Sequence, residues 1–499
     1  MTSRPLQDIE ALVRSGRLTE AQQALESLPL SSIPREASVL YANLARRAGL
    51  GQLALRILNP IIRSKKPRQT PATPQEKIEY AATLRQQGMI DEAAELLEEI
   101  DLSAHPQGAL QRALCHFSQW QYGPAIPLLQ SYVASFSEPT YARTVGKLNL
   151  IDALIAENQT SQAREAITGL SGDFSPSESP LLELKCLELT GRLEIDDGKL
   201  SRATTAFEKA RHLLRGTPGF EESTQHLYID KWLAVSRSLE AGKALPELGK
   251  VREAAIARRE WEVVRDCEFY LARLGRKQAA LLRIYFGSPT GGYRHRIEDA
   301  LGAQARIPDT FAWSGEFKAE PKLYFDLVGA TGHEGGPLEL TAGQAQHRLM
   351  ILLTRDFYRA STLLGLFSQL FPGEHFNPDS SPGRVQQVLK RFRSWLNRSG
   401  LPIELEVHQG SYRLNFKAPC SLIVPKTPLP LMGSRLEFES ALHALGPSTR
   451  SAFTTRDVQY ATLRSESAVK RLLKWAVQEG LLTREGASHR ACYRLPSNR

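Results

Sequence analysis

Six stretches in the N-terminal half resemble one another: GRLTEAQQAL (16–25), GQLALRIL (51–58), GMIDEAAELL (88–97), YGPAIPLLQ (122–130), NQTSQAREAI (158–167) and GKLSRATTAFEKA (198–210). Aligned on Ala21, Ala54, Ala93, Ala125, Ala163 and Ala203, they are spaced by 33, 39, 32, 38 and 40 residues. A unit of this size cannot bury its own apolar face. Self-similarity at this period therefore constrains the chain to a stack of helix pairs, a solenoid. The small alanine suits a close helix crossing. The glycine before it ends one helix and lets the chain turn. Apolar residues three and four positions on, such as Leu96 and Leu97 after Ala93, continue a buried stripe.

These stretches resemble the tetratricopeptide repeat, whose second helix often opens G-x-x-x-E-A. The match is clearest at 88–93 and 198–203 and poorest at 119–125, where Pro124 and Pro127 intrude. It runs over residues 5–285, the last part (228–285) being helical but less repeat-like. The resemblance implies a superhelix with a concave face of the kind that binds a protein or peptide. The alternative is an array that serves only dimerisation or packing. The chemistry of a ligand is not readable from the repeats.

With 499 residues, the chain is too long for one ordinary core, and two to four domains are expected. The start, MTSRPLQDIEALV, lacks the basic and apolar regions of a signal peptide, and no run of about 18 apolar residues exists. Five scattered cysteines without a C-x-x-C pair point to a reducing cytosol, with neither a disulfide framework nor a zinc site. Residues 286–320, beginning FGSPTGGYRHR, read as a glycine-rich linker. They lack the G-K-[ST] ending of a phosphate loop. LYFDLVG then alternates, and Leu323–Val328 is predicted to be a strand.

The net charge of +9 is concentrated. Residues 338–417 carry ten Lys/Arg and six Asp/Glu, and residues 433–499 carry eleven and six, so these two segments hold the whole excess. A basic C-terminal third on a neutral body points to an anionic partner. Within it lies GRVQQVLKRFRSWL (383–396), a predicted helix. At 100° per residue, Val385, Val388, Leu389, Phe392 and Leu396 share a stripe narrower than about 120°, flanked by Trp395. The opposite face carries Gln386, Gln387, Lys390, Arg391, Ser394 and Arg398, with Arg384 at the start, and no acid. A solvated face usually mixes both signs. Cations can lie along phosphates, while Gln and Arg can pair with base edges in a major groove.

Around this helix the predicted order is strand, helix (AGQAQHRLMILLTR), helix (STLLGLFSQLF), the basic helix, then the hairpin IELEVHQGSYRLNF. That is the order of a winged helix-turn-helix domain. Over residues 322–416 it resembles the effector domain of OmpR/PhoB-type response regulators and of the related antibiotic regulatory proteins. The matching residues are Leu338–Thr341, then Leu389, Phe392, Arg393 and Leu396, then the wing His408–Leu414, including Arg413. The wing departs from the pattern, with His408 where the family has Arg and one glycine displaced to Gly410. No receiver domain precedes it, which makes control by aspartyl phosphorylation unexpected. Antibiotic regulatory proteins join such a domain to tetratricopeptide-like repeats in the reverse order.

After a Pro-rich linker (419–434), the pattern recurs in 435–499. Here Thr454 or Thr455 is the expected N-cap of a second helix, a third helix covers SESAVKRLLKWAVQEG, and LLTREGASHRACYRL is a wing. Ala468, Val469, Leu472, Leu473, Ala476 and Val477 form its core stripe. Ser467, Lys470, Arg471, Lys474 and Gln478 face away. This segment resembles the generic winged helix of bacterial regulators, a pattern that identifies no family and that also serves protein contacts.

The expected fold is thus mostly α: a helical-repeat solenoid (5–285), then two α+β winged helix-turn-helix domains (321–418 and 435–499). No local catalytic motif is present, so no enzyme activity, cofactor or metal is expected. The expected function is that of a cytoplasmic, bacterial transcription regulator. Its array receives a protein, peptide or signal, and its winged helices bind duplex DNA through Arg384, Gln386, Gln387, Lys390, Arg391, Ser394, His408, Arg413, Ser467, Lys470, Arg471 and Lys474. The alternative is a non-catalytic adaptor that uses both parts to bind proteins.

Overall fold

The structure is a computed structural model that describes residues 3–14, 17–64, 70–170, 179–217, 223–315, 317, 319–333, 340–486 and 491–496. Two compact units divide it. The first comprises Met1–Ile284, Thr290–Ala303 and His375–Asp379, and the second comprises Tyr285–Pro289, Gln304–Glu374 and Ser380–Arg499. Among the described residues, no helix is long and apolar enough to cross a membrane.

The first unit is an array of helices. In chain order these are α1 (Ser3–Arg14), α2 (Leu18–Glu26), α3 (Arg35–Arg47), α4 (Gly51–Ile62), α5 (Pro74–Gln86), α6 (Ile90–Glu98), α7 (Pro106–Ser118), α8 (Tyr122–Ala134) and α9 (Tyr141–Ala156). They continue as α10 (Thr160–Thr168), α11 (Pro180–Asp196), α12 (Leu200–Gly216), α13 (Gln225–Glu240), α14 (Pro246–Arg258), α15 (Trp261–Leu274), α16 (Gln278–Phe286) and α17 (Gly291–Leu301). From α3 to α15 each helix packs on the next in sequence, and alternate helices such as α9 and α11, or α13 and α15, also touch. Ala21, Ala54, Ala93, Ala125, Ala163 and Ala203 all lie fully buried at the fourth position of the second helix of a pair.

The turn between paired helices is equally regular. Two residues before α4, α6, α8, α10, α12, α15 and α16 stands a residue with positive φ: Gly49, Gly88, Trp120, Asn158, Gly198, Arg259 and Arg276. After each, the next backbone N–H reaches back to a carbonyl of the preceding helix, as from Met89 to Leu84 at 2.9 Å and from Gln121 to His116 at 3.0 Å. This is the Schellman arrangement, which satisfies orphan carbonyls at a helix end. Glycine fills the left-handed position in only three of the seven. The glycine that opens the first repeat, Gly16, lies outside the described residues.

The stretch 286–320 is not the linker expected. It contains α17 and the strand β1 (Thr310–Ser314). Tyr293 and Ile297, four residues apart, are buried on one face of α17. Gly292 serves close approach rather than flexibility, since a Cβ there would lie 2.7 Å from the Trp120 carbonyl oxygen.

The second unit begins with a four-stranded sheet. Its strands run in the order β1, β7 (Cys420–Pro425), β2 (Leu323–Asp326) and β3 (Thr331–His333), with β7 parallel to β2 and the other pairs antiparallel. The Pro-rich linker expected at 419–434 therefore begins as a central strand. Pro419 stands just before the strand and the other prolines from Pro425 onward, which leaves Cys420–Val424 free to donate to the ladder. Next come α18 (Ala345–Leu353), β4 (Ser361–Thr362), α19 (Leu363–Leu370), α20 (Ser381–Ser399), β5 (Ile403–His408) and β6 (Ser411–Phe416). These strands form a three-stranded sheet in the order β4, β6, β5. Of the Leu338–Thr341 segment, Leu338 and Glu339 lie outside the described residues.

The same order recurs as α21 (Gly433–Leu445), β8 (Phe453–Thr454), α22 (Thr455–Thr462), α23 (Glu466–Gln478), β9 (Thr483–Glu485) and β10 (Cys492–Arg494), with a sheet ordered β8, β10, β9. Thr454 caps α22 in a reciprocal capping box with Asp457. The wing loop at 487–490 lies outside the described residues. The two three-helix modules are joined within this unit. His443 of α21 pairs with Asp326 of β2, Ser440 donates to the Gly329 carbonyl at 3.4 Å, and Arg355 donates to the Leu429 carbonyl at 2.7 Å.

Candidate functional sites: a basic helix face and a cavity in the array

Helix α20 is 19 residues long, with Pro382 in its first turn, where a missing N–H costs nothing, and Gly400 in the left-handed conformation just past its end. Val385, Val388, Leu389, Phe392, Trp395 and Leu396 are buried, as the wheel requires. Trp395, placed at the flank from sequence, stacks on Phe392 and meets Phe325 of β2 edge-on. Gln386, Gln387, Lys390, Arg391, Ser394 and Arg398 are all exposed. Among the described residues no ion pair engages Lys390 or Arg391.

Other expected contact residues stand differently. The Arg384 guanidinium is bound by Glu374, with one contact at 3.0 Å, and lies 4.0 Å from the centre of the Phe371 ring. That holds it against its own module instead of leaving it free. Arg413 is half-buried on β6, 3.8 Å from Glu406 of the paired strand. His408 is exposed at the end of β5, beside the turn residues Gln409 and Gly410, both with positive φ as a tight I′ hairpin requires. On α23, Val469, Leu472, Leu473 and Ala476 are buried, while Ala468 and Val477 are only half-buried. Ser467, Lys470, Arg471 and Lys474 are exposed. Lys470 pairs with Glu466 one turn earlier, at 2.6 Å.

The second site was not legible in the sequence. A cavity of about 1190 Å³ lies inside the first unit, walled by α9, α11, α13, α15 and α17, with Tyr122 at the start of α8. Its floor is a network of ion pairs. Asp152 accepts from Arg192 at 2.7 Å and lies 3.0 Å from Lys185, which also contacts Glu188 at 3.1 Å. Asp266 accepts from Lys231 at 2.7 Å, the Tyr293 hydroxyl at 2.9 Å and Arg296 at 3.4 Å. Arg296 also donates to the Tyr270 hydroxyl. Burial would push the Asp152 and Asp266 carboxyls upward, but the cations and hydrogen bonds around them outweigh it and hold both well below the ordinary range. Burial, with Asp266 alongside, raises the Tyr293 phenol far above its usual value.

Aromatic rings rise from this floor. Trp232 has the Lys231 ammonium 4.4 Å and the Arg192 guanidinium 5.5 Å from its ring centre. Trp120, in the turn before α8, meets Tyr293 of α17 edge-on at 4.7 Å, closing one side of the cavity. A signal for this site exists in the sequence. Lys185, Glu188 and Arg192, or Tyr228, Lys231 and Trp232, recur at helical spacing on the first helices of successive pairs. A search for apolar stripes passes over it. Among the described residues, no group of three or more His, Cys, Asp or Glu side chains is placed to hold a metal ion.

No protein-family profile matches the chain. No curated protein matches it. Among solved structures, it is similar to the crystal structure of a Rap protein complexed with competence and sporulation factor, at 11% identity and a TM-score of 0.35, over 60% of this chain and 85% of that one.

Proposed function

We propose that this protein is a non-catalytic, cytoplasmic transcription regulator. Its second unit binds duplex DNA through two winged helices, the first of OmpR/PhoB type, and its helical array receives a protein or peptide. The observation that carries this reading is the face of α20: exposed, cationic, amide-bearing and without an acid along its length. The winged-helix assignment is supported by the repeated order of helix, short strand, helix, helix and hairpin. In each module the short strand pairs with the last strand of the hairpin. A third helix in that setting is the element that enters a major groove.

The test uses the full chain with Lys390→Glu and Arg391→Glu together. Binding to a 30-base-pair mixed-sequence duplex at low salt should weaken at least tenfold, with the circular dichroism spectrum unchanged. Both side chains are exposed, and among the described residues neither has an ion-pair partner, so the fold has no need of them. Equal affinity in the two proteins would overturn the assignment of α20 as the DNA-contacting helix.

A further inference from the structure

The charges that line the cavity of the array do not balance. Lys185, Arg192, Lys231 and Arg296 are held by Asp152, Glu188 and Asp266. What remains on the walls is mostly acid. Asp196, Glu262 and Asp299 are exposed to the cavity, and among the described residues no ion pair engages them. Glu157, also in the wall, accepts the Gly123 backbone N–H at 2.8 Å. Arg273 is the one cation left over among the described lining residues. This surplus of carboxylate sits inside a protein whose net charge is +9.

The acids lie at both ends of the cavity. Glu262 is in the first turn of α15. Asp196 ends α11, and Asp299 is in the last turn of α17. Helices joined by short turns alternate in direction, so α11, α13, α15 and α17 run alike. From Glu262 to Leu274, the end of α15, the helix rises about 18 Å at 1.5 Å per residue. Between the two ends stand the rings of Tyr228, Trp232 and Tyr270, over which Lys231, Arg192 and Arg296 of the network also lie. Acids at both ends and aromatic side chains between them match a linear ligand with cationic groups separated by roughly that distance and an apolar stem between. At about 3.3 Å per extended residue, the span corresponds to five or six residues of peptide. The volume, about 1190 Å³, exceeds the ~300–1,000 Å³ of ordinary small-molecule pockets.

We propose that the cavity of the array is a receptor site for a short, extended peptide with basic side chains towards both ends. Asp196, Glu262 and Asp299 hold the cations, and Trp232 and its aromatic neighbours hold the stem between them. Trp120 supports this from a separate observation. A tryptophan at φ +57° occupies a turn position that elsewhere in the array is filled by three glycines, an asparagine and two arginines, and its ring meets Tyr293 edge-on at the cavity wall. A bulky residue in the left-handed region carries backbone strain, which persists where the side chain serves something besides the turn.

This proposal rests on the reading of the array as a receptor, and it is independent of DNA binding. The test is selection of a random hexapeptide phage library on the immobilised full-length protein. The reference is the triple variant Asp196→Asn, Glu262→Gln, Asp299→Asn. Among the described residues no ion pair engages any of the three carboxylates, so the variant keeps the buried network intact. Peptides retained by the wild type and lost on the variant are expected to be net positive, with Lys or Arg near both ends. Their affinity by calorimetry should fall at least tenfold in the variant. Variant-sensitive peptides that are neutral or acidic would overturn the charge assignment while leaving a peptide receptor. No variant-sensitive peptide at all would overturn both that assignment and the receptor reading, with duplex binding by the second unit still standing. Spermidine binding as tightly as the selected peptides, and equally lost in the variant, would replace the peptide with a small polyamine.

Discussion

Trp120 shows how one side chain can serve two masters in a repeat. The turn needs φ near +57°, which glycine adopts freely and tryptophan does not, yet the ring walls the cavity and packs on Tyr293 and Tyr122. Trp120→Gly should therefore relieve the backbone while opening the cavity. The expected result is little change in thermal stability and loss of the selected peptides, and a variant that binds them as before would show that the ring is only packing. Asp266 behaves oppositely. It is the shared acceptor for Lys231, Arg296 and Tyr293, so Asp266→Ala strands the buried Lys231 and takes one partner from the half-buried Arg296, and it should destabilise the array by about 3–5 kcal/mol in chemical unfolding. On α20, Phe392→Ala should cost a similar ~3–5 kcal/mol through the cavity it leaves. That loss can be read from hydrogen exchange of α20 amides in the full chain, and unchanged exchange would contradict its place in the core. Arg384, already bound by Glu374, should contribute little to duplex affinity when replaced by alanine.

Among elements, the contact between α21 and β2 has a defined pH dependence. The hydrogen bond and charge of Asp326 raise His443 above its ordinary value. Burial pushes Asp326 upward, but His443 outweighs it, and the carboxyl is lowered. The raised histidine contributes stability that is fully present below about pH 6.5, its unfolded value, and is lost as pH rises through the folded value. The lowered aspartate contributes above about pH 4 and loses its share as pH falls. The pair therefore tightens the link between the two modules in mildly acidic solution, by less than about 1 kcal/mol because His443 is half exposed. An NMR titration of the His443 ring should place its midpoint above about 6.5 in the wild type and lower in Asp326→Asn, and equal midpoints would remove the pair. Elements were legible in the sequence where one period dominated. The six alanines found every second helix they marked, and the apolar stripes set the right faces of α20 and α23 inward. They were illegible where punctuation misled. Gly291 and Gly292 open a helix instead of a linker, and Pro425 closes a strand inside the stretch that its prolines mark as a linker. The cavity is illegible for a different reason: its residues are spread over six helices, and only the packing of the array brings Trp120 to Tyr293.

At the scale of the whole molecule, the question is whether both modules of the second unit meet the same duplex. Each puts an exposed cationic face on its third helix, and contacts between α21 and the first module hold the two together. If both faces lie on phosphate, their counterion release adds, and the slope of log affinity against log salt should steepen by about 0.9 for each phosphate neutralised. Three variants of the full chain separate the contributions: Lys390→Ala with Arg391→Ala, then Lys470→Ala with Arg471→Ala and Lys474→Ala, then all five. Each of the first two should flatten the slope, and the five-fold variant should flatten it by their sum, since residues on different helices without shared partners act independently. Lys470 is expected to count for less than Arg471 or Lys474, because Glu466 already neutralises part of its charge. A slope unmoved by the α23 substitutions, with the α20 pair still effective, would take the second module off the DNA. Its basic face would then be one for an acidic protein, and the molecule would read duplex with one winged helix and a partner with the other.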